Sequence, residues 1–228
     1  MPAQTTFDYV KQSLFFFRTH WISIAQIIVP FALIESVLSM ALLPSEPTPE
    51  DILKELPTLL IVNFMLLPVY QAALITYMAA IVRDNYISAF QAIRLGLNHL
   101  VPLILVYLLM GLAITAGFMM LLVPGIFLLF TLSYAEFINV LERKNPFKSI
   151  EESIRRATPI FFTLFVGKSI IFFGLFILQN AILVMSEVLG LPKTVVDVAG
   201  SMLFSLLFSL ITIFGFRLYC VDLEENKR

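Results

Sequence analysis

Cysteine is nearly absent from this chain: Cys220 is the only one in 228 residues, which excludes an intrachain disulfide framework and a cysteine-based metal site. Histidine is almost as scarce. His20 and His99 lie far apart in the chain and form no metal-binding spacing, so no metal is expected. Charged residues make up only 14% and the net charge is −1, with Lys and Arg scattered rather than clustered; this is no nucleic-acid surface. Gly-rich phosphate loops and nucleophile elbows are missing too, so neither a cofactor nor an enzymatic activity is expected.

What the chain has in excess is apolar surface. Hydrophobic residues reach 59% and mean hydropathy is +0.92, more than a soluble fold can bury. About 20 apolar residues cross a bilayer as a helix. Blocks of that kind fall at 21–43, 57–82, 100–123, 126–141, 160–189 and 195–216. The reading is an all-α, polytopic membrane bundle of six transmembrane helices in a single domain covering residues 1–228. The first block is longer than a cleaved signal core and follows an amphipathic leader with Asp8, Lys11 and Arg18, so it is read as a retained span. Residues 100–135 carry no charge, and Val123-Pro124-Gly125 is expected to divide them by a tight turn.

Six spans put twelve of the fifteen basic residues on one side, from Lys11 and Arg18 to Lys227 and Arg228. The other side has only Lys54 and Lys193, with the acidic stretch Glu46, Glu50, Asp51 and Glu55. The positive-inside rule makes the basic side cytoplasmic, with both termini there.

A short amphipathic segment precedes each odd-numbered span. Phe147, Ile150, Ile154, Ala157 and Phe161 share one helical face, opposite Lys148, Glu151, Glu152, Arg155 and Arg156. Asn145-Pro146 supplies a cap and first turn. The same spacing gives Phe7, Val10, Leu14, Phe17, Trp21 and Tyr86, Ala89, Ile93, Gly96, Leu100. The spans thus read as three hairpins, each led by a cytoplasmic amphipathic helix. Such helices either brace the spans or turn basic side chains, Arg94, Arg155 and Arg156 among them, toward lipid headgroups.

Leu121-Leu122-Val123-Pro124-Gly125-Ile126, the short span after it, Pro146-Phe147 through Ser149, Ser153 and Arg155, and Phe216-Arg217-Leu218-Tyr219 resemble the YciC-like family of bacterial inner-membrane proteins. That family resembles in pattern the membrane domain fused to some glycerophosphodiester phosphodiesterases. The resemblance implies a Gram-negative inner membrane, six spans and a connection with envelope lipids. It carries over no catalytic residue.

Ionisable groups within spans are costly and therefore functional candidates. Glu35, Glu136 and Lys168 qualify as a ligand-binding set; Lys168 either snorkels to the cytoplasmic surface or pairs with Glu136 or Glu35. Glu187 and Asp197 read as interface residues. Ser201, Ser205 and Ser209, Ala72, Thr76 and Ala80, and Ala113 with Gly117 are small-residue stripes for close helix contact, and Pro30 and Pro68 are expected to kink their helices. His20 and His99 read as interface anchors. The functional expectation is a non-enzymatic protein that handles or senses membrane lipid or another amphipathic small molecule. The alternative is a structural or regulatory module for an envelope protein partner.

Overall fold

The structure, a computed structural model, describes residues 5–42 and 48–225. Glu46, Lys227 and Arg228 of the charge reading lie outside these described residues. Among them all regular structure is helical: α1 (Thr6–Leu42), α2 (Pro49–Val82), α3 (Ala89–Gly96), α4 (Leu100–Met120), α5 (Leu122–Thr131), α6 (Ala135–Glu142), α7 (Pro146–Ala157), α8 (Phe161–Val188) and α9 (Lys193–Glu225). Tight 3-10 turns join α3 to α4, α5 to α6 and α7 to α8. Six helical stretches are long and apolar enough to cross a membrane. The chain is a multi-pass membrane protein.

The ends of these helices follow from local chemistry. Thr48 caps α2 and Ser88 caps α3 through reciprocal bonds with Asp51 and Gln91. Asn145 caps α7, accepting from the Lys148 amide at 2.8 Å, with Pro146 at the first helical position as the Asn-Pro pair predicts. The segment before the first span is not a separate helix, because α1 runs unbroken for 37 residues, about 55 Å at 1.5 Å per residue. Pro159 and Pro102 lie in or just after the turns that separate α7 and α3 from their spans, whereas no breaker stands between Arg18 and Trp21. The helices also continue through Pro30 and Pro68, so neither ends a span.

The expected Pro-Gly turn is displaced. The chain reverses at Leu121, which is extended (φ −166°, ψ 159°), and Pro124 sits in the first turn of α5, where its missing amide leaves no bond unmade. Gly125 instead serves contact between helices: the Phe118 ring covers the space a Cβ would need, and a Cβ on Gly117 would stand 3.0 Å from the Gly125 Cα.

α1 packs most extensively along α9, so the first and last spans are neighbours. Ser36 and Ser201 meet there, oxygen to oxygen at 2.5 Å, and Gln71 on α2 bonds Thr212 on α9 at 3.1 Å. The innermost span is the fourth: its apolar window is 61% buried, against 17–39% for the other five. Tyr134 and Phe137 from it stack edge-on with Tyr219 and Phe216 of α9 at centroid distances of 5.4 and 5.8 Å.

The three segments aligned in the sequence share a burial register. Ser13, Ala92 and Ser153 occupy equivalent positions and all are buried, while Phe7, Tyr86 and Phe147 are all exposed. Small residues thus face the bundle. The Ser153 hydroxyl donates to the Thr131 carbonyl at 2.7 Å and accepts from the Tyr134 amide at 3.1 Å, repairing backbone bonding at the α5–α6 turn.

Candidate functional site

Glu136 enters the bundle because α6 belongs to the innermost span; it is 8% exposed. Its carboxylate accepts a hydrogen bond from the Tyr107 hydroxyl on α4. Lys168 on α8 lies where its charge acts on Glu136, although no ion pair within 4 Å joins them. Its stem passes beside Gly215, where a methyl group would come within 3.6 Å of Cε. Glu35 on α1 is half-buried, and its Oε1 has no hydrogen-bond partner. Tyr70 on α2 lies in electrostatic range of both Glu35 and Glu136. Glu136 is hydrogen-bonded to Tyr107, Tyr70 and Lys168 lie within electrostatic range of Glu136, and Glu35 lies within that of Tyr70; the three ionisable residues form no directly bonded triad. Tyr70 and Tyr107 could not be picked out from sequence, where each looks like one more aromatic in an apolar run.

Four cavities lie at the end of the bundle that holds the basic residues, and none is lined by Glu35, Glu136 or Lys168. One is a cleft of about 490 Å³ between α1, the end of α2 and α9. Phe15, Phe16, Val82 and Phe216 form apolar walls beside Lys11 and Arg217. Arg217 Nε donates to Gln12 Oε1 at 2.8 Å, and Lys11 Nζ lies 5.6 Å from the Phe7 ring centroid. His20, which reads as a surface anchor, lines this cleft and meets the Tyr77 hydroxyl at 3.3 Å. The other three cavities flank α3 and share walls with one another.

The basic residues of α3 and α7 are not equivalent. Arg94 is exposed on α3 and bonds no described residue. Arg155 is 71% exposed and reaches Glu152 at 2.8 Å. Arg156, grouped with them by helical spacing, faces inward: it bonds Glu142 at 2.6 and 3.1 Å and Glu152 at 2.9 Å, with its side chain 13% exposed. Tyr219 also donates to Glu142, at 2.6 Å, and Lys144 pairs with Glu142 at 2.8 Å and with Glu152. Burial pulls the pKa of Lys144 down, but its hydrogen bonds to Glu142 and Glu152 outweigh that and hold the ammonium above its ordinary value. This network ties α6, α7 and α9 together. Glu187 and Asp197 are exposed. No group of three or more His, Cys, Asp or Glu that could hold a metal occurs among the described residues.

The profile of an uncharacterised protein family, UPF0259, matches residues 52–221. Over 161 residues the chain is 29% identical to a UPF0259 membrane protein of Photorhabdus laumondii subsp. laumondii, across 68% of this chain and 59% of that protein. The match thus spans less than two thirds of that relative. No solved structure matches.

Proposed function

The chain belongs to UPF0259, an uncharacterised family, and we infer from its own residues a non-enzymatic protein of a bacterial inner membrane that binds lipid or another anionic amphiphile. Its six spans form three hairpins, each led by an amphipathic segment at the cytoplasmic surface, the first of them continuous with its span, and both termini are cytoplasmic. The exposed aromatic residues Phe7, Tyr86 and Phe147, at one register in all three units, support that surface placement. The excess of Lys and Arg at the same end supports the orientation.

The cleft between α1 and α9 carries the reading. An amphiphile needs an apolar wall for its chain and a cation for its headgroup, and this cleft offers Phe15, Phe16 and Phe216 beside Lys11 and Arg217. Its volume, about 490 Å³, suits a headgroup with the first part of a chain. The pattern shared with the membrane domain of glycerophosphodiester phosphodiesterases supports an envelope lipid as the occupant.

One observation favours the second reading, a structural or regulatory module for an envelope protein: Glu35, Glu136 and Lys168 line none of the four cavities. Native mass spectrometry of gently extracted protein separates the two. The expected result is a retained anionic lipid whose occupancy falls about tenfold when Lys11→Gln and Arg217→Gln are combined, the effect of losing charge-assisted bonds worth about 1.4 kcal/mol. A lipid lost only with Glu35→Gln plus Glu136→Gln would move the site into the bundle. A protein partner retained without any lipid would overturn the binding reading.

A further inference from the structure

The three cavities around α3 form one groove between the ends of α2 and α6. Asn98 lines all three, and His99 and Arg143 line two of them. Arg83 at the end of α2 and Arg143 at the end of α6 line one of these cavities, and Arg94 on α3 lines a second that shares Asn85, Ile87, Leu95 and Asn98 with it. Its walls contain no Asp or Glu; Asp84 is next to Arg83 in the chain but is exposed and lines none of the cavities. No hydrogen bond or ion pair joins Arg83, Arg94 or Arg143 to a described side chain. The contrast with Lys144 and Arg156, both held by Glu142 and Glu152, is direct.

One further observation points to a ligand. Asn139 is 2% exposed and lines the groove, and its Nδ2 donates to the Lys144 carbonyl at 2.8 Å while its buried Oδ1 has no partner. A buried acceptor left unpaired is costly and calls for a donor. Arg143 itself is held in the left-handed region (φ 53°, ψ 33°) at the end of α6, where glycine is the unstrained choice. Asp84 takes the same conformation (φ 54°), so the strain by itself assigns no role.

We propose that this groove binds a phosphate group that carries a hydroxyl, its charge held by Arg83, Arg94 and Arg143 and its hydroxyl donating to Asn139 Oδ1. Guanidinium forks match phosphate oxygens in pairs, and the unpartnered amide oxygen selects the protonated or hydroxyl-bearing edge. Arg83, Arg94 and Arg143 all stand at the carbonyl ends of their helices and neutralise them, but that role gives no reason for the unpaired amide oxygen of Asn139. The group could come from the headgroup of a lipid in the same leaflet or from a soluble phosphate. This site shares no lining residue with the amphiphile cleft and does not rest on that reading.

The test uses the full chain in phosphatidylcholine nanodiscs, with inorganic phosphate followed by phosphorus NMR, and in parallel native mass spectrometry from nanodiscs that also contain phosphatidylglycerol. Either inorganic phosphate binds or phosphatidylglycerol is retained, and the outcome identifies the source. Arg94→Gln and Arg143→Gly should each weaken that binding about tenfold. Glycine relieves the left-handed backbone, so Arg143→Gly should melt no lower than the parent, which separates lost binding from lost folding. The phosphatidylglycerol arm uses the Lys11→Gln, Arg217→Gln background, so that lipid held in the other cleft does not contribute. Absence of both ligands from the parent protein, or undiminished binding by the two arginine variants, would overturn the proposal.

Discussion

Replacing Gly96 with valine is expected to detach α3 from α2 and leave little monodisperse protein after extraction. A Cβ at Gly96 would stand 2.7 Å from the Ala73 nitrogen and 3.0 Å from the Ala72 carbonyl carbon and the Ala73 Cα, all of them backbone atoms. No rotamer change relieves an overlap with main chain, and overpacking of this kind costs about 1–3 kcal/mol or more. Folded proteins have only about 5–15 kcal/mol in hand. α3 also carries Arg94 and Asn98 borders the turn behind it, so the groove at that end should be lost with the helix. Gly111→Val supplies the control, since a Cβ there meets nothing within 4 Å. Fluorescence-detected size exclusion should show a symmetrical peak for Gly111→Val and aggregate for Gly96→Val. Equal peaks would mean that α3 is not seated on α2.

Arg156→Ala is the second large effect expected. Arg156 makes three hydrogen bonds to Glu142 and Glu152, and neither carboxylate is more than 21% exposed. Without it Glu142 keeps Lys144 and the Tyr219 hydroxyl, and Glu152 keeps Lys144 and the exposed Arg155. Removing one partner from a buried ionic network costs about 3–5 kcal/mol, and partial exposure here reduces that to about 2–3. A melting temperature lower by about 5–10 °C should follow. Arg155→Ala, next in sequence but 71% exposed, should change stability by no more than about 0.5 kcal/mol. Matching losses in the two variants would contradict the inward placement of Arg156.

Residues legible in sequence are those whose role follows from local pattern. The apolar blocks mark all six membrane-crossing stretches, because spacing of charge along the chain needs no tertiary knowledge. Asn145-Pro146 marks the start of α7 for the same reason. The stripe through Ser201 marks a helix contact, and Ser36 is found opposite it. What depends on a partner from elsewhere in the chain was not legible. Nothing around Arg156 says that Glu142 lies on its inner side, and nothing around Tyr107 says that Glu136 reaches its hydroxyl. The turn falls at Leu121 because Pro-Gly serves equally as a turn and as a helix start, and the contact of Gly125 with Phe118 decides between them. His20 and His99 likewise look alike in sequence, and only packing places them in two different cavities.

Both proposed sites require the basic end of the bundle to face the cytoplasm. Single cysteines at Glu50→Cys and Lys148→Cys, both exposed positions, placed in a Cys220→Ser background and treated in intact cells with a membrane-impermeant maleimide, measure this directly. The expected result is labelling at position 50 and none at 148 until the membrane is permeabilised. Labelling at 148 with protection at 50 would invert the topology and remove the cytoplasmic placement of both sites.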